Sequence, residues 1–458
     1  MKLKESLKRI KSKDCSIQIF GLGYVGFPLS IRLAISGFNV IGIDADQKKI
    51  ESLKNKVLLG SQMTLKNEFL ESIQVGKFVP SDNPIKSENP CIGIICVPTP
   101  ISEDNKDSNV YVNLAADKFL ELSKPGDVLI LESSVEIGTT DEIKQKVESK
   151  GFHVGEDFGL SFCPERIDPL NPKWKLENIP RIIYSSDDVT FQIAQFIYKN
   201  VNNSNLSRVE SSKTAELVKS FENSFRLVNI SLVNELAILC DKLGVNVLEV
   251  IEAASTKPFG FMPFYPGAGA GGHCIPKDPR FLLGSAKKIG LDFDSIEKAI
   301  TINTMIPKYI VKSIENTISE LKLKKTVIVC GLSYKPNIED MRDSPGFRIL
   351  KELSSAGFKV VVFDPYFKNE LREKYQIENN IQNLDFDKID DLSDESINGF
   401  DCLCIVQSHF KNKLRIEEIY KKSLVPMIYD CQSSLDFDSN SRTVLKCFGQ
   451  LFHTSTML

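Results

Sequence analysis

Residues 16–26, Ser-Ile-Gln-Ile-Phe-Gly-Leu-Gly-Tyr-Val-Gly, decide how this chain folds. The mostly apolar stretch 16–20 makes a short strand, and glycines at 21, 23 and 26 follow it as a tight strand-to-helix turn. A helical pattern then runs to about Ser36, and a second apolar run, Asn39 to Ile43, ends on Asp44. Strand, glycine turn, helix, strand and terminal acid form a βαβ unit. Apolar runs at 91–97 (CIGIICV) and 127–132 (DVLILE) read as further buried parallel strands.

Beyond residue 210 the periodicity changes. Leu217, Val218, Phe221, Phe225, Val228, Leu232, Leu236 and Leu239 recur at three- and four-residue steps, and Gly244 follows as a stop. This spacing predicts a long central helix over 211–242. Residues 260–272 (GFMPFYPGAGAGG) form a loop whose backbone can come close to a ligand. From 325 the first pattern returns: strand KTVIVCG, a helix near 346–357, strand KVVVFD at 359–364, and another strand within 398–407 (NGFDCLCIVQ). Gly331-Leu332-Ser333 lacks the full glycine fingerprint, and 379–399 reads as exposed loop and short helix. The expected fold class is α/β, with two Rossmann-like parallel-sheet domains joined by a long central helix.

The chain has 458 residues, 42% hydrophobic and 26% charged, which is ordinary for a soluble protein of two or three domains. A formal charge of −3 gives no reason to expect nucleic acid or an anionic membrane as partner. Residues 1–14 are lysine-rich, and no long apolar stretch follows them. A signal peptide and a membrane span are therefore not expected, and a cytoplasmic location is. The eleven cysteines show no disulfide or zinc spacing; all but one read as small hydrophobes in a reducing compartment, and no metal is expected.

In the first βα turn, glycines let a pyrophosphate reach a helix N-terminus, where amides and dipole favour negative charge. Asp44 can accept hydrogen bonds from both adenosine ribose hydroxyls and would repel a 2′-phosphate, so NAD is expected rather than NADP. The remaining cysteine is Cys274, in GGHCIPKDP at 271–279. A cysteine just after a glycine loop, with Lys277 and Asp278 close behind, suits an activated nucleophile. His273 receives no chemical role.

This last run resembles the active-site cysteine motif of the UDP-glucose/UDP-mannuronate dehydrogenase family. GLGYVG at 21–26, VPTP at 97–100, ESSV at 132–135, CPER at 163–166, GGHCIPKDP at 271–279 and GLSYKPNIEDMRDSP at 331–345 follow the family's order. Within the family, ERIDPLNPKWKLENIPRI at 165–182, ENSFRLVNISLVNELA at 222–237 and the loop at 256–272 are similar to the N-acetylhexosamine branch, nearest to UDP-N-acetyl-D-glucosamine 6-dehydrogenases. UDP-N-acetylmannosamine and UDP-glucose are the alternative substrates. The family commonly has Ser-Thr-Val where Ser133-Ser134-Val135 stands, Pro-Gly at Ile137-Gly138, and Gly-Gly or Ser-Gly at Tyr184-Ser185; none of these changes removes a catalytic group.

The resemblance implies an NAD-binding domain over 1–205, a central helical domain for dimerisation and the active site over 206–315, and a UDP-sugar-binding domain over 316–458. It implies a homodimer and a four-electron oxidation of an alcohol to a carboxylate, for surface polysaccharide synthesis. Cys274 would hold the aldehyde as a thiohemiacetal and then a thioester. Asp278 would act as general base, and Lys219 and Asn223, four residues apart on one helix face, would stabilise the developing oxyanion. Glu165, helped by Ser134, would serve the hydrolytic water. Gly21, Gly23, Tyr24, Val25, Gly26, Asp44, Lys49, Pro98, Thr99, Ser133 and Arg342 would meet the cofactor. Glu165, Arg166, Lys219, Asn223, Arg226, Tyr265, Gly271 and Lys335 would meet the UDP-sugar.

Overall fold

A computed structural model describes residues 2–58, 60–100, 109–168, 171–382 and 384–450. Pro169 and Leu170, within the branch-like stretch 165–182, and the last eight residues of the expected third domain lie outside the described residues. The chain divides into two compact units, residues 1–222 with 280–291, and 223–279 with 292–458.

The first unit carries an eight-stranded sheet. Its strands are β1 (Ser16–Phe20), β2 (Asn39–Ile43), β3 (Phe78–Ser81), β4 (Cys91–Ile95), β5 (Val128–Leu131), β6 (Gly159–Phe162), β7 (Arg181–Ser185) and β8 (Leu206–Arg208). They lie in the order β3-β2-β1-β4-β5-β6-β7-β8. Every pairing is parallel except β6 with β7, which is antiparallel. Alternate residues of the central strands feed opposite faces, as a two-residue period requires. Ile17, Ile19, Ile92, Ile94, Val128 and Ile130 enter one core, while Phe20, Cys91, Ile95, Leu129 and Leu131 enter the other. With both faces covered by helices, these strands become the continuous apolar runs seen in the sequence.

The lysine-rich start is a helix, Lys2–Lys11, which buries Leu3, Ser6 and Ile10. Three inward positions in ten residues are enough to dock it while every lysine stays outside.

The second unit carries β9 (Thr326–Cys330), β10 (Lys359–Phe363), β11 (Asp387–Lys388), β12 (Cys402–Ile405), β13 (Met427–Asp430) and β14 (Val444–Cys447). Their order is β11-β10-β9-β12-β13-β14, all parallel. This matches the order of the first six strands of the other sheet. The central helix spans Ser212–Leu243, and the boundary between the units falls within it.

Candidate active site

The turn after β1 is built around close backbone approaches. Gly21 has φ +94°, and a Cβ there would sit 2.6 Å from the Cys96 carbonyl oxygen. Gly23 differs: a Cβ there would meet no atom of the described residues within 4 Å. The following helix starts at Gly26 behind Val25, which provides no side-chain cap; the Phe27 amide donates to the Gly23 carbonyl at 3.1 Å and Pro28 has no amide, so among the described residues Gly26 is the first-turn amide left open to an anion. Tyr24 is exposed at the rim.

Asp44 closes this site at the end of β2. Its Oδ2 accepts from the Leu22 amide at 2.9 Å and from Lys49 Nζ at 2.7 Å, and its Oδ1 accepts from the Asp46 amide at 3.0 Å. A carboxylate offers about four acceptor directions, so Lys49 must yield before two ribose hydroxyls can be bound. An uncapped helix N-terminus, an open Gly23 and a half-buried acid fit the adenosine diphosphate part of NAD.

The loops after β4 and β5 are tied together at the same edge of the sheet. Thr99 Oγ1 donates to the Ser134 carbonyl at 2.7 Å, and Ser133 Oγ donates to the Val97 carbonyl at 2.7 Å. Thr99 and Ser133 are buried, Ser134 half-buried and Pro98 exposed. Thr99 and Ser133 thus spend their hydroxyls on shaping the loops. After β6, the buried Glu165 accepts the Arg166 and Ile167 amides on Oε1, both at 2.6 Å, and Arg181 on Oε2. Arg166 forks onto Glu222, with Nη2 to Oε1 at 2.5 Å and Nε to Oε2 at 3.2 Å.

Cys274 belongs to the second unit. Its carbonyl accepts from the Asp278 amide at 2.8 Å and the Lys277 amide at 3.1 Å, in the turn that opens the helix Asp278–Lys288. Cys274 is exposed, whereas each of the other ten cysteines is buried or half-buried. Asp278 is fully buried; its Oδ2 accepts from Asn223 Nδ2 at 2.5 Å. Its Oδ1 lies 3.3 Å from Lys277 Nζ yet makes no hydrogen bond among the described residues. A buried carboxylate oxygen in that state suits a water.

The glycine loop before Cys274 is held from three sides. The Gly267 amide donates to Asn234 Oδ1 at 3.0 Å, and the buried Asn303 exchanges two hydrogen bonds with Ala270, at 2.6 and 3.0 Å. Gly272, at φ +85°, donates to the Arg342 carbonyl at 3.1 Å, and a Cβ there would strike the Tyr334 ring. Gly271 is buried against the same 334–345 segment. Arg342 itself forks onto Asp340, at 2.9 and 2.6 Å. Lys335 is half-buried, its carbonyl fixed by Ser333 Oγ at 3.0 Å, and Tyr265 is exposed.

On the central helix, Asn223 points inward while Arg226 is exposed. Lys219 is half-buried and, among the described residues, has no ion-pair partner. Within the second unit the structure therefore brings together Asn223, Cys274 and Asp278, with Gly271, Arg342 and Lys335 on the adjoining segment. Within the first unit it gathers the glycine turn, Asp44 and Lys49, and separately Thr99, Ser133 and Ser134. Asn234, Asn303, Arg181 and Glu132 were not singled out from the sequence. Only Arg181 carried a local signal, as a charged residue opening an otherwise apolar strand.

Residues 15–202 match the NAD binding domain of the UDP-glucose/GDP-mannose dehydrogenase family, 213–305 its central domain, and 328–437 its UDP binding domain. A UDP-N-acetyl-D-mannosamine dehydrogenase of Methanococcus aeolicus is 32% identical over 95% of this chain and 94% of its own length. A UDP-N-acetyl-D-glucosamine 6-dehydrogenase of Salmonella typhi is 32% identical over 80% of this chain and 85% of its own. The solved structure of a UDP-D-ManNAc dehydrogenase from Pyrococcus horikoshii is similar at TM-score 0.82 and 29% identity, covering 95% of this chain and 99% of that one.

Proposed function

Since the chain belongs to the UDP-glucose/GDP-mannose dehydrogenase family, we propose that it oxidises the C6 hydroxymethyl of UDP-N-acetyl-D-glucosamine to the carboxylate, through a thioester on Cys274. NAD supplies the hydride acceptor for both oxidations. The Cys274 sulfur adds to the aldehyde carbon and keeps it in place between them; loss of the second hydride leaves the thioester. Asp278 takes the proton through a water at Oδ1, while Asn223 holds Oδ2 and so fixes the carboxylate. Lys219 and the second N–H of Asn223 offer positive charge and a donor to the developing oxyanion. Glu165 holds the water that releases the product.

The observation that carries this reading is the exposed Cys274 thiol on a glycine loop, one turn before a buried carboxylate whose Oδ1, beside the Lys277 ammonium, makes no hydrogen bond among the described residues. Cys274→Ser should abolish sustained NADH formation, leaving at most a burst of about one NADH per chain, because serine is hardly ionised near neutral pH. Turnover of this variant near the wild-type rate would remove Cys274 from the mechanism.

The gluco substrate is supported by the stretches at 165–182, 222–237 and 256–272. A site that hydrogen-bonds the acetamido group leaves polar partners unpaired when UDP-glucose binds, worth ~1–3 kcal/mol each and roughly ten- to hundredfold in kcat/KM. The manno epimer is the second reading, favoured by the relatives that match the chain along nearly its whole length. A panel of UDP-sugars, followed by NADH formation at two per sugar, decides between them. A kcat/KM for UDP-N-acetylmannosamine above that for UDP-N-acetylglucosamine overturns the gluco reading and leaves the dehydrogenase reading intact. A UDP-uronate product suits surface polysaccharide synthesis. A homodimer is part of the proposal, supported by exposed Phe221, Phe225, Leu232, Leu239 and Leu243 along the central helix, and light scattering tests it.

A further inference from the structure

We propose that Arg181 is a positioning residue for the hydrolytic half of the reaction: from the start of β7 it fixes the Glu165 carboxylate so that one acceptor direction of Oε2 remains for the attacking water. The inference rests on the assignment of Glu165 to that water.

Arg181 is 2% exposed. Its Nη1 and Nη2 reach Glu132 at 3.1 and 3.0 Å, and Nη2 also donates to Glu165 Oε2. Its guanidinium lies 4.7 Å from the ring centre of Tyr198, whose hydroxyl donates to Glu132 Oε1 at 2.5 Å. Glu132 alone would satisfy a structural arginine, because a bidentate pair already compensates the buried charge. The second carboxylate is the unexplained part. It makes the cluster net negative in a buried setting, and burial together with Glu165 pushes the Glu132 carboxyl up while Arg181 opposes them.

The geometry accounts for the arrangement. A carboxylate has about four acceptor directions. Glu165 Oε1 uses two on the Arg166 and Ile167 amides, and Oε2 uses one on Arg181. Among the described residues one direction is left, on a residue three positions beyond the end of β6, at the edge of the sheet where open α/β folds bind ligands. A carboxylate held by two amides and a guanidinium is fixed in place and can orient a water. In the step it serves, the water oxygen bonds to the acyl carbon, the C–S bond breaks, sulfur leaves as the Cys274 thiolate, and the water's protons pass to solvent. Arg181 touches neither substrate nor water. It sets where the water stands.

The test compares the NADH burst with steady turnover in the full-length enzyme, with mass spectrometry of the quenched protein. Arg181→Lys keeps the charge and loses the fork that spans both carboxylates. Its burst rate should stay within about twofold, its steady turnover should fall about tenfold or more with the KM values falling alongside it, and an acyl adduct should accumulate on Cys274. Glu132→Gln, milder because Arg181 stays in place, should show the same split at about threefold, and covers the case in which Arg181→Lys does not fold. Equal loss of burst and turnover, or turnover loss without adduct, overturns the proposal. Glu165→Gln separates the two readings: adduct there but not in Arg181→Lys or Glu132→Gln refutes the role of Arg181 alone, whereas no adduct in any variant refutes the Glu165 assignment and this proposal with it.

Discussion

The glycine turn after β1 and the glycine turn after β9 occupy the same place in two sheets of the same strand order, and they end in different chemistry. Gly21 and Gly331 have nearly the same backbone, φ +94° and +91°. In each case an acid at the end of the next strand accepts the amide of the following leucine: Asp44 from Leu22 at 2.9 Å, Asp364 from Leu332 at 2.6 Å. Beyond that leucine they part. Gly23 leaves open space, while Ser333 is buried, with its amide on Asp364 at 3.0 Å. Asp44 takes Lys49 on the same oxygen, Oδ2, and stays 13% exposed, whereas Asp364 is sealed against His409 Nε2 at 3.2 Å and is fully buried. His409 Nδ1 in turn accepts the Asn337 amide at 2.9 Å, so its proton belongs on Nε2, toward the acid. One residue after the leucine and one partner of the acid separate the proposed ribose acceptor from a structural tie. Topology places an edge of the sheet; those two side chains decide what the edge can bind.

The largest effect should come from breaking the sealed turn. Asp364→Ala removes the acceptor for the Leu332, Ser333 and Tyr366 amides and leaves His409 buried without its partner. A loss of about 3–5 kcal/mol is expected by denaturant unfolding, with KM for NAD unchanged in whatever folded enzyme is recovered. A loss below about 1 kcal/mol would mean that the two acids are alike after all.

Asp44→Ala should do the reverse. KM for NAD should rise about tenfold or more and discrimination against NADP should relax, while stability changes by less than about 1 kcal/mol. An unchanged NAD to NADP preference would show that Asp44 is not the ribose acceptor. Gly23→Ala sharpens the point, because its methyl meets no atom of the described residues within 4 Å. Folding should be unaffected, and KM for NAD should rise about three- to tenfold, since the pyrophosphate needs that backbone bare. The smallest change belongs to Lys49→Ala. It frees one acceptor direction on Asp44 and uncovers its charge, so KM for NAD should move by only about two- to threefold while rejection of NADP strengthens.

The parts of this fold carried by local periodicity were legible in the chain. The βαβ unit at the start and the helix expected over 211–242, found at Ser212–Leu243, both follow from residues within a few positions of one another. Helix Lys2–Lys11 gives no helical signal in a lysine-rich stretch, because its buried face has only Leu3, Ser6 and Ile10, too sparse to stand out among lysines. The short strands β3, β7 and β8 were also not read; Pro80 in β3 and Arg181 in β7 break the apolar runs that mark the central strands.

The cysteine loop was legible as chemistry, but what holds it was not. Asn234 and Asn303 each reach it from 33 residues away along the chain, and an asparagine inside a helix has no local feature that separates a buried anchor from a surface position. Asp364 could have been found by laying KVVVFD over the run that ends at Asp44. Its partner His409 could not.

The distribution of thiols has a consequence for how this protein ages. Burial pushes the Cys15, Cys91 and Cys163 thiols up to about 12 and pushes Cys96, Cys330, Cys402 and Cys431 well above the ordinary range, so they neither ionise nor meet solvent easily. Cys274 is exposed. Peroxide or an alkylating reagent that reaches the folded chain therefore finds its target at the Cys274 sulfur, the atom proposed to carry the acyl group. Damage by such reagents would leave a population of fully active and fully dead molecules with the same fold and the same melting temperature, and the fraction of dead ones would equal the fraction modified at a single sulfur.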